Sequence, residues 1–237
     1  MTGSRRDGAP GISRLTSALQ FGDSILPTGS FSFSNGLESA VQQHIVHDRA
    51  TLAEFTLTAA RRAATTDGIA LLEAHRAARA SDLDRIMAAD SAVFNRKLGE
   101  EPRTMTVRMG RKLAELGTFV ASAPMLGRWL AEVTAHQTPG TYPAGLGVLF
   151  AGLGSPEEDA FAVHQYGDAV TTLSASLRLM RIEPREVQAI LRQVNAGSED
   201  DYLAVRGASL ADMAGFAPMA DILAAMHVRA HVRLFMN

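Results

Sequence analysis

A chain of 237 residues, 46% of them hydrophobic, is long enough to bury a sizeable core without disulfides or metals. Its formal charge of −2 and isoelectric point near 6.4 exclude a general binder of nucleic acid or of anionic membranes, which needs a strong basic excess. The absence of cysteine excludes disulfides and thiolate metal sites. It also fits a reducing compartment, so the expected location is cytoplasmic.

The ends of the chain carry no recognisable targeting signal. Residues 1–11 are polar and contain Gly and Pro, so we expect them to be disordered, and no apolar stretch of signal-peptide type follows Arg5 and Arg6. The longest nearly apolar run, residues 144–154, is about half of the roughly 20 residues that a membrane span requires. Residues 12–237 are therefore expected to form one helical domain without a membrane segment, because no long linker divides them.

The opening segment, residues 26–38 (LPTGSFSFSNGLE), is unlike the Ala-, Leu- and Arg-rich amphipathic sequence around it. Pro27 fixes its own φ angle and disfavours a helical conformation at the preceding residue, which predicts that a first helix over residues 13–24 ends before it. Gly29 and Gly36 permit backbone angles that a side chain would resist. The opening segment is therefore predicted to be a structured connector between two helices.

Two patterns within the opening segment predict how its side chains are used. Phe31 and Phe33 alternate with serines, as in an extended chain, and this predicts that both rings point to the same side. On residue types alone the two rings fill the core, because buried aromatic side chains usually pack there. Asn35 is the predicted N-cap of the next helix, with Glu38 as the capping-box acid three residues later.

Helical periodicity continues through the rest of the chain, and no run of alternating β-branched residues appears. Asp67-Gly68 is predicted to interrupt a helix, Pro184 to begin one, and Asn195-Ala196-Gly197 to close it. Five predicted helix starts have Ser or Thr with an acid three residues later: Thr51/Glu54, Ser81/Asp84, Ser155/Glu158, Ser198/Asp201 and Ser209/Asp212. The predicted fold is all-α, a single-domain bundle of about ten helices.

Two charged features fall on predicted helix faces. Asp90 lies on an apolar stripe, where it is either a functional carboxylate or, as is commoner, an acid paired with a neighbouring Arg. Arg108, Arg111 and Lys112 form a basic cluster opposite the apolar face of a helix that begins near Pro102. We interpret this cluster as a solvated surface.

A glycine-rich apolar stretch follows a predicted loop at residues 139–143. Gly145, Gly147 and Gly152 alternate there with large apolar residues. Glycines at this density would weaken an exposed helix by up to about 1 kcal/mol each. The pattern therefore predicts a buried helix that is pressed closely against its neighbours.

The end of the chain is unusually apolar. Apolar spacing predicts a last helix over residues 218–226, after which the chain finishes RAHVRLFMN. Leu234, Phe235 and Met236 would either pack back on the body or bind a partner, because termini are poorly ordered unless they dock.

No catalytic or metal-binding motif stands out. The sequence lacks a nucleotide-binding phosphate loop, a Gly-x-Ser-x-Gly nucleophile motif and a His-Glu-x-x-His zinc motif. His44 with His47, and His227 with His231, could each place two imidazoles on one helical face, but two ligands make an incomplete metal site. No residue is therefore assigned to catalysis, to a cofactor or to a metal.

Three motifs of this sequence, together with a Met-Gly pair, resemble the UreF family of urease accessory proteins. The opening segment is similar to the family pattern Leu-Pro-x-Gly-x-Phe-Ser-x-Ser-x-Gly-Leu-Glu, and Tyr142-Pro143 with Gly147 resembles its Tyr-Pro-x-x-x-Gly motif. Met109-Gly110-Arg111 also resembles a Met-Gly pair in a basic helix of the family. The C-terminal pattern is reproduced by Pro218, Asp221, Ile222, Met226, His227, Arg233, Leu234 and Phe235. Departures from the family occur at Met180-Arg181-Ile182, Val228 and Asn237, so detailed contacts are not carried over to the first of these.

The resemblance implies a non-catalytic chaperone that acts through interfaces. Such a protein is a homodimer that joins the accessory protein UreD/UreH and recruits the GTPase UreG to apo-urease, where GTP hydrolysis is coupled to nickel delivery. Its C-terminal tail becomes ordered on the partner. The partner-binding residues implied here are Pro27, Gly29, Phe31, Phe33, Gly36, Glu38, Tyr142, Pro143, Arg229, Arg233, Leu234, Phe235 and Met236.

Two other classes of protein stay open at this point. An all-α enzyme or small-molecule binder would use a pocket that contains Asp90, Asp168 and the histidines, and turnover by the isolated chain would favour it. An ordinary helical adaptor unrelated to urease would co-purify with other partners.

Overall fold

Helices are the only regular structure in the residues that the computed structural model describes, which are 11–215 and 234–235. The predicted all-α fold of about ten helices is confirmed. Residues 1–10 and the predicted last helix lie outside the described residues. The α-helices are α1 (Gly11–Gly22), α2 (Leu37–Gln42), α3 (Arg49–Ala63), α4 (Ile69–Arg79), α5 (Leu83–Arg96), α6 (Glu100–Val120), α7 (Pro124–Thr134), α8 (Tyr142–Gly152), α9 (Glu157–Leu179) and α10 (Pro184–Val205).

Helix α8 lies at the centre of the fold, as its glycines predict. Its residues from Pro143 to Ala151 are all buried. A side chain at Gly147 would collide with the backbone of α4 at Leu71, and one at Gly110 of α6 would collide with the chain just before α8. These glycines therefore set how closely α4 and α6 approach α8.

Two hydrophobic clusters make up the core. The first surrounds α8 and includes Trp129, Phe150 and Phe161. The second lies between α2, α3, α9 and α10 and includes Leu52 and, from the chain end, Phe235. Helix α9 contributes residues to both clusters and so joins them into one body.

The chain between α3 and α4 is not interrupted as predicted. A π-helical turn, Ala64–Gly68, carries the helix through the Asp67-Gly68 pair. Gly68 lies against the ring of Phe161, where a Cβ would come within 2.7 Å of a ring carbon. The glycine therefore permits close packing rather than a helix end.

Several predicted helix starts are correct in place but not in their capping residue. At α3, Asp48 rather than Thr51 is the N-cap, and its Oδ1 accepts from the Thr51 backbone N–H at 2.8 Å. Asp82 rather than Ser81 caps α5. A nearby carboxylate takes the role in both cases, three residues before the predicted cap at α3 and one residue after it at α5, because it accepts from the helix amides more strongly than a hydroxyl.

The remaining start signals have mixed outcomes. Ser209 and Asp212 form the predicted capping box, on a short 3-10 turn, and Pro184 occupies the first position of α10. Helix α9 begins where predicted, but its N-cap is Pro156 and the buried Ser155 hydroxyl makes no hydrogen bond among the described residues.

The predicted end of α10 at Asn195-Ala196-Gly197 and the predicted start at Ser198 are both wrong. The helix continues to Val205, and the Ser198 hydroxyl donates to the Val194 carbonyl within it. Both Val194 and Val205 are buried, so packing at the two ends keeps this stretch helical.

No helix in the described ranges is long and apolar enough to cross a membrane.

Candidate functional site

The opening segment turns through three left-handed backbone positions. Gly29, Asn35 and Gly36 have φ angles of 86°, 53° and 82°. Between them, Ser30–Ser32 forms a 3-10 turn, so the predicted extended alternation is wrong. Successive side chains on such a turn are about 120° apart rather than 180° apart. Phe33 is accordingly buried while Phe31 is 70% exposed.

Asn35 does not cap the next helix as predicted; Gly36 occupies that position. Gly36 is itself left-handed and has no side chain, so no side-chain cap bond forms at the start of α2. The side-chain amide of Asn35 instead donates to Asp168 Oδ1 at 2.9 Å and to Thr172 Oγ1 at 3.2 Å. These bonds tie the opening segment to α9.

Glu38 holds the end of the chain instead of completing a capping box with Asn35. Its carboxylate, only 1% exposed, accepts from the backbone N–H groups of Leu234 at 2.8 Å and Phe235 at 3.2 Å. Arg178 of α9 lies over the Phe235 ring, 4.1 Å from its centre, and donates to the Phe31 carbonyl at 3.0 Å. We call Glu38, Arg178 and Phe235 the tail anchor.

The tail anchor combines three stabilising interactions at one place. The Phe235 ring is buried in the second hydrophobic cluster, a guanidinium stacks on it, and a carboxylate accepts the adjacent amides. Of the two outcomes predicted for the apolar chain end, Phe235 packs back on the body, while Leu234 is 67% exposed.

A groove of about 450 Å³ brings some residues of the opening segment together with Met109 and Tyr142-Pro143. One face each of α3, α6 and α9 forms its walls. Phe31 and Gly36 of the opening segment and Tyr142-Pro143 at the start of α8 also line it. Motifs more than a hundred positions apart in sequence therefore share one surface.

The groove has a polar end. Lys97 Nζ lies 2.7 Å from an oxygen of Asp67, and His164 Nε2 lies 3.7 Å from the other. Burial opposes ionisation of Asp67, but Lys97 and His164 outweigh it and hold the pKa of that carboxyl well below its ordinary value. Burial raises the pKa of the Asp168 carboxyl, and the attraction of His164 offsets this only in part.

Tyr142 is placed at the groove by a buried carboxylate. Asp90, which is fully buried, accepts from Thr138 Oγ1 at 2.6 Å and from the backbone N–H groups of Gly140 and Thr141 at 2.8 and 2.7 Å. It thus fixes the loop that leads into α8. The predicted Arg partner of Asp90 is wrong, because a hydroxyl and two amides satisfy both of its oxygens.

Burial raises the pKa of Tyr142 to about 12, so its hydroxyl stays protonated at neutral pH. The other motif residues lie elsewhere. Pro27 is exposed and does not line the groove; nor does Gly29 or the buried Phe33. Arg229, Arg233 and Met236 lie outside the described residues.

The sequence offered no direct signal for two residues that shape this surface. Nothing in the spacing of Arg178 pointed to a ring at the chain end. Lys97 bonds to Asp67, which lies thirty positions earlier in the sequence. Helical periodicity predicts contacts over only a few positions and therefore does not predict this pair.

The metal and small-molecule sites considered from the sequence are not assembled among the described residues. In residues 11–215 and 234–235, no three His, Asp or Glu side chains converge as a metal site. The imidazole of His47 contacts the His44 carbonyl at 3.3 Å, and His227 and His231 lie outside the described residues. Asp90 does not line the groove, so the pocket postulated for a small-molecule binder does not unite its residues. The basic side chains of Arg111 and Lys112 are exposed and pair with Glu115, as expected of a solvated face.

The fold and this surface define an all-α protein whose sequence motifs meet along a groove and a docked chain end. A sequence model of the UreF family matches residues 46–195. Over 228 residues the chain is 55% identical to urease accessory protein UreF 2 of Brucella canis, which covers 96% of this chain and 93% of that relative. It is 47% identical to urease accessory protein UreF of Yersinia pseudotuberculosis, over 95% of this chain and 99% of that relative. The chain therefore belongs to the UreF family of urease accessory proteins.

Proposed function

We propose that this protein is a non-catalytic chaperone of urease maturation. It binds a UreD/UreH-type accessory protein, and the two recruit and regulate a UreG-type GTPase on apo-urease while nickel, the cargo, is inserted. It works as a homodimer in the cytoplasm. Membership of the UreF family supports this proposal, and the tail anchor is the single structural observation that carries it.

The tail anchor supports a protein partner because it leaves two apolar side chains in solvent. Phe31 and Leu234 are 70% and 67% exposed, and both adjoin groups that Arg178 contacts. An exposed aromatic side chain such as Phe31, next to a buried anchor, is typical of the centre of an interface. Exposed apolar groups of this kind gain free energy when a partner covers them.

Deletion of residues 233–237 tests the proposal most directly. We expect the shortened chain to lose co-purification with the UreD/UreH-type protein, because both Leu234 and its buried neighbour are removed. Helix content, measured by circular dichroism, should stay nearly unchanged. Undiminished affinity for the partner would remove the role of the tail.

Single substitutions separate the surface from the anchor. Phe31→Ala and Leu234→Ala should each weaken partner binding by about tenfold or more, equivalent to about 1.4 kcal/mol. Phe119→Ala is the matched control, since Phe119 is 90% exposed at the end of α6 and outside the groove. Equal losses in all three variants would contradict an interface at the tail anchor.

Reconstitution tests the whole function. Urease activation from purified apo-urease, UreD/UreH, UreG and nickel should depend on this protein and fail with the shortened chain. Activation that proceeds equally well without it would refute the proposal, as would turnover of a metabolite by the isolated chain.

A further inference from the structure

The two hydrophobic clusters belong to different halves of the molecule. Among the described residues, none of the helices α5 to α8 packs in the second cluster, and none of α2 packs in the first. Three helical paths pass from one cluster to the other, namely α3 continuing into α4, α9 and α10. The change of cluster falls between Ala60 and Ala64, between Val163 and Ala169, and between Val194 and Val205. We call residues 60–68, 163–169 and 194–205 the crossing layer.

Each path has an irregular or flexible position in the crossing layer. The first path has the π-helical turn Ala64–Gly68, α9 has Gly167, and α10 has the pair Gly197-Ser198. Both α9 and α10 contact the π-helical turn. Helices bend at π-bulges and at Gly/Ser pairs, and glycine has the most backbone freedom of any residue. All three connections between the halves can therefore bend in the same layer.

Packing does not account for the two glycines inside α9 and α10. A Cβ at Gly147 would collide with the α4 backbone, whereas a Cβ at Gly167 or Gly197 would meet no described atom within 4 Å. A glycine without such a packing requirement only weakens the helix interior relative to alanine. Their place in the crossing layer indicates that these two glycines supply backbone freedom.

The crossing layer is polar, whereas the clusters on either side of it are apolar. Lys97, at the end of α5, donates to Asp67 of the π-helical turn at 2.7 Å, and His164 Nε2 of α9 lies 3.7 Å from the same carboxylate. One helical turn beyond His164, Asp168 Oδ1 accepts from Asn35 of the opening segment at 2.9 Å. Directional polar contacts therefore connect the halves here, in place of the close apolar packing that makes each cluster rigid.

We propose that the crossing layer is a hinge, about which the half containing α2 and the tail anchor rotates relative to the half containing α8. The π-helical turn, Gly167 and Gly197 are its bending points. The Lys97–Asp67 ion pair restrains the hinge, because it ties the π-helical turn to the end of α5. A hinge concentrates the change in backbone angles at a few positions, while the packed halves stay intact.

Rotation about the crossing layer moves the tail anchor relative to α8. Phe235 packs in the second cluster, whereas Tyr142 begins α8 and packs against the first. A partner that contacts both surfaces favours the orientation that it binds more tightly. The proposal rests on the packing of this chain alone, so it stands whether or not the partners are those of urease maturation.

Distances between spin labels test the hinge, and the absence of cysteine permits labelling at chosen positions. Ala131→Cys on α7 with Gln188→Cys on α10 places one exposed label in each half. Ala88→Cys on α5 with Ala131→Cys is the matched control, because both positions are exposed and lie in the same half. Double electron–electron resonance on labelled protein diluted with unlabelled protein measures distances within one chain. The pair across the layer should give the broader distribution of distances.

Alanine at the two glycines should stiffen the hinge. Gly167→Ala with Gly197→Ala should narrow the distribution across the layer and leave that of the control pair unchanged. Gly127→Ala is the matched substitution, because Gly127 lies inside α7 within one half and has room for a Cβ. Equal narrowing by Gly127→Ala, or no narrowing by the double variant, would overturn the proposal.

Loss of the ion pair should have the opposite effect. Asp67→Asn and, separately, Lys97→Met should broaden the distribution across the layer, and circular dichroism checks that both variants are folded. Glu73→Gln is the matched control, because it removes the Glu73–Arg85 pair within one half. Equally narrow distributions for both label pairs in the unsubstituted chain would refute the hinge. So would an unchanged distribution across the layer in both ion-pair variants, or equal broadening of the two label pairs.

Discussion

Two buried carboxylates, Asp90 and Glu38, make similar hydrogen bonds in two different regions, the centre of the fold and the chain end. Asp90 is fully buried and Glu38 is 1% exposed, and each accepts from two consecutive backbone N–H groups. Asp90 fixes an internal loop beside the central helix α8. Glu38 fixes the last residues of the chain. The same interaction therefore stabilises the fold in one place and holds a separable segment in the other.

The difference lies in what surrounds each carboxylate. The chain on both sides of the Asp90 loop continues into packed helices, so its release would disturb the first hydrophobic cluster. Leu234 and Phe235 contact the second hydrophobic cluster without belonging to a described helix, and we expect their release to leave the helices in place. Loss of Asp90 should therefore destabilise the whole fold, whereas loss of Glu38 should loosen only the chain end.

Asp90→Ala should give the largest effect. Three buried donors lose their acceptor, and at about 1–3 kcal/mol each the free energy of unfolding should fall by about 4–6 kcal/mol. Urea denaturation followed by circular dichroism measures this change. Asp90→Asn keeps one acceptor oxygen, so its free energy of unfolding should lie between those of the wild type and Asp90→Ala. An Asp90→Ala variant as stable as the wild type would contradict the role given to Asp90.

Phe33→Ala should lower the free energy of unfolding by about 3–5 kcal/mol, because its ring is 4% exposed within the opening segment. Phe31→Ala is the matched control and should cost less than about 0.5 kcal/mol, because that ring is 70% exposed. Thermal or urea denaturation compares the two. Equal costs would contradict the turn that separates these rings.

Glu38→Gln should lower global stability by only about 1–2 kcal/mol, since the neutral side chain accepts the tail amides more weakly. Its specific effect should appear at Leu234 and Phe235, whose amide hydrogens should exchange much faster while those of α8 stay protected. Hydrogen exchange with mass spectrometry measures both regions. Uniformly faster exchange would show that Glu38, like Asp90, supports the whole fold.

Asp168→Asn should have the smallest effect, and it depends on pH. The folded-state pKa of Asp168 is raised, so the unfolded chain releases this proton first as the pH rises above the ordinary value of 3.8. In the wild type, the free energy of unfolding therefore falls as the pH rises from 3.8 to the raised pKa of the folded state. The variant has no ionisable group at this position, so this fall does not occur in it. Relative to wild type, Asp168→Asn should therefore gain stability as the pH rises from 4 to 7. A constant difference between these pH values would contradict a raised pKa.

The sequence predicted the region around α8 better than the region around the tail anchor. The glycine pattern of α8 predicted a buried, closely packed helix, because the distance at which neighbouring helices can pack depends on the size of the side chains in that stretch. At the opening segment, the positions of Pro27 and the two left-handed glycines were informative, but the directions of Phe31 and Phe33 were not. The 3-10 turn at these rings is held by a bond from α9, since the Phe31 carbonyl accepts from Arg178, 147 positions away.

Helix capping shows the same limit. Thr51 and Ser81 matched the expected pattern, yet Asp48 and Asp82 cap the helices, because competition between nearby acceptors depends on where the entering chain is held. Glu38 matched a capping box and instead became the acceptor for the chain end.

By itself, the sequence determined the all-α class, the approximate number of helices and the stretches in which the UreF pattern lies, because periodicity and turn residues act over a few positions. Only the tertiary structure decided that the opening segment, Tyr142 and the chain end meet along one surface, and which partner each buried charge has. Contacts between distant positions have no period in the sequence. Burial makes an unpaired polar group costly, so these contacts form only once the helices are packed.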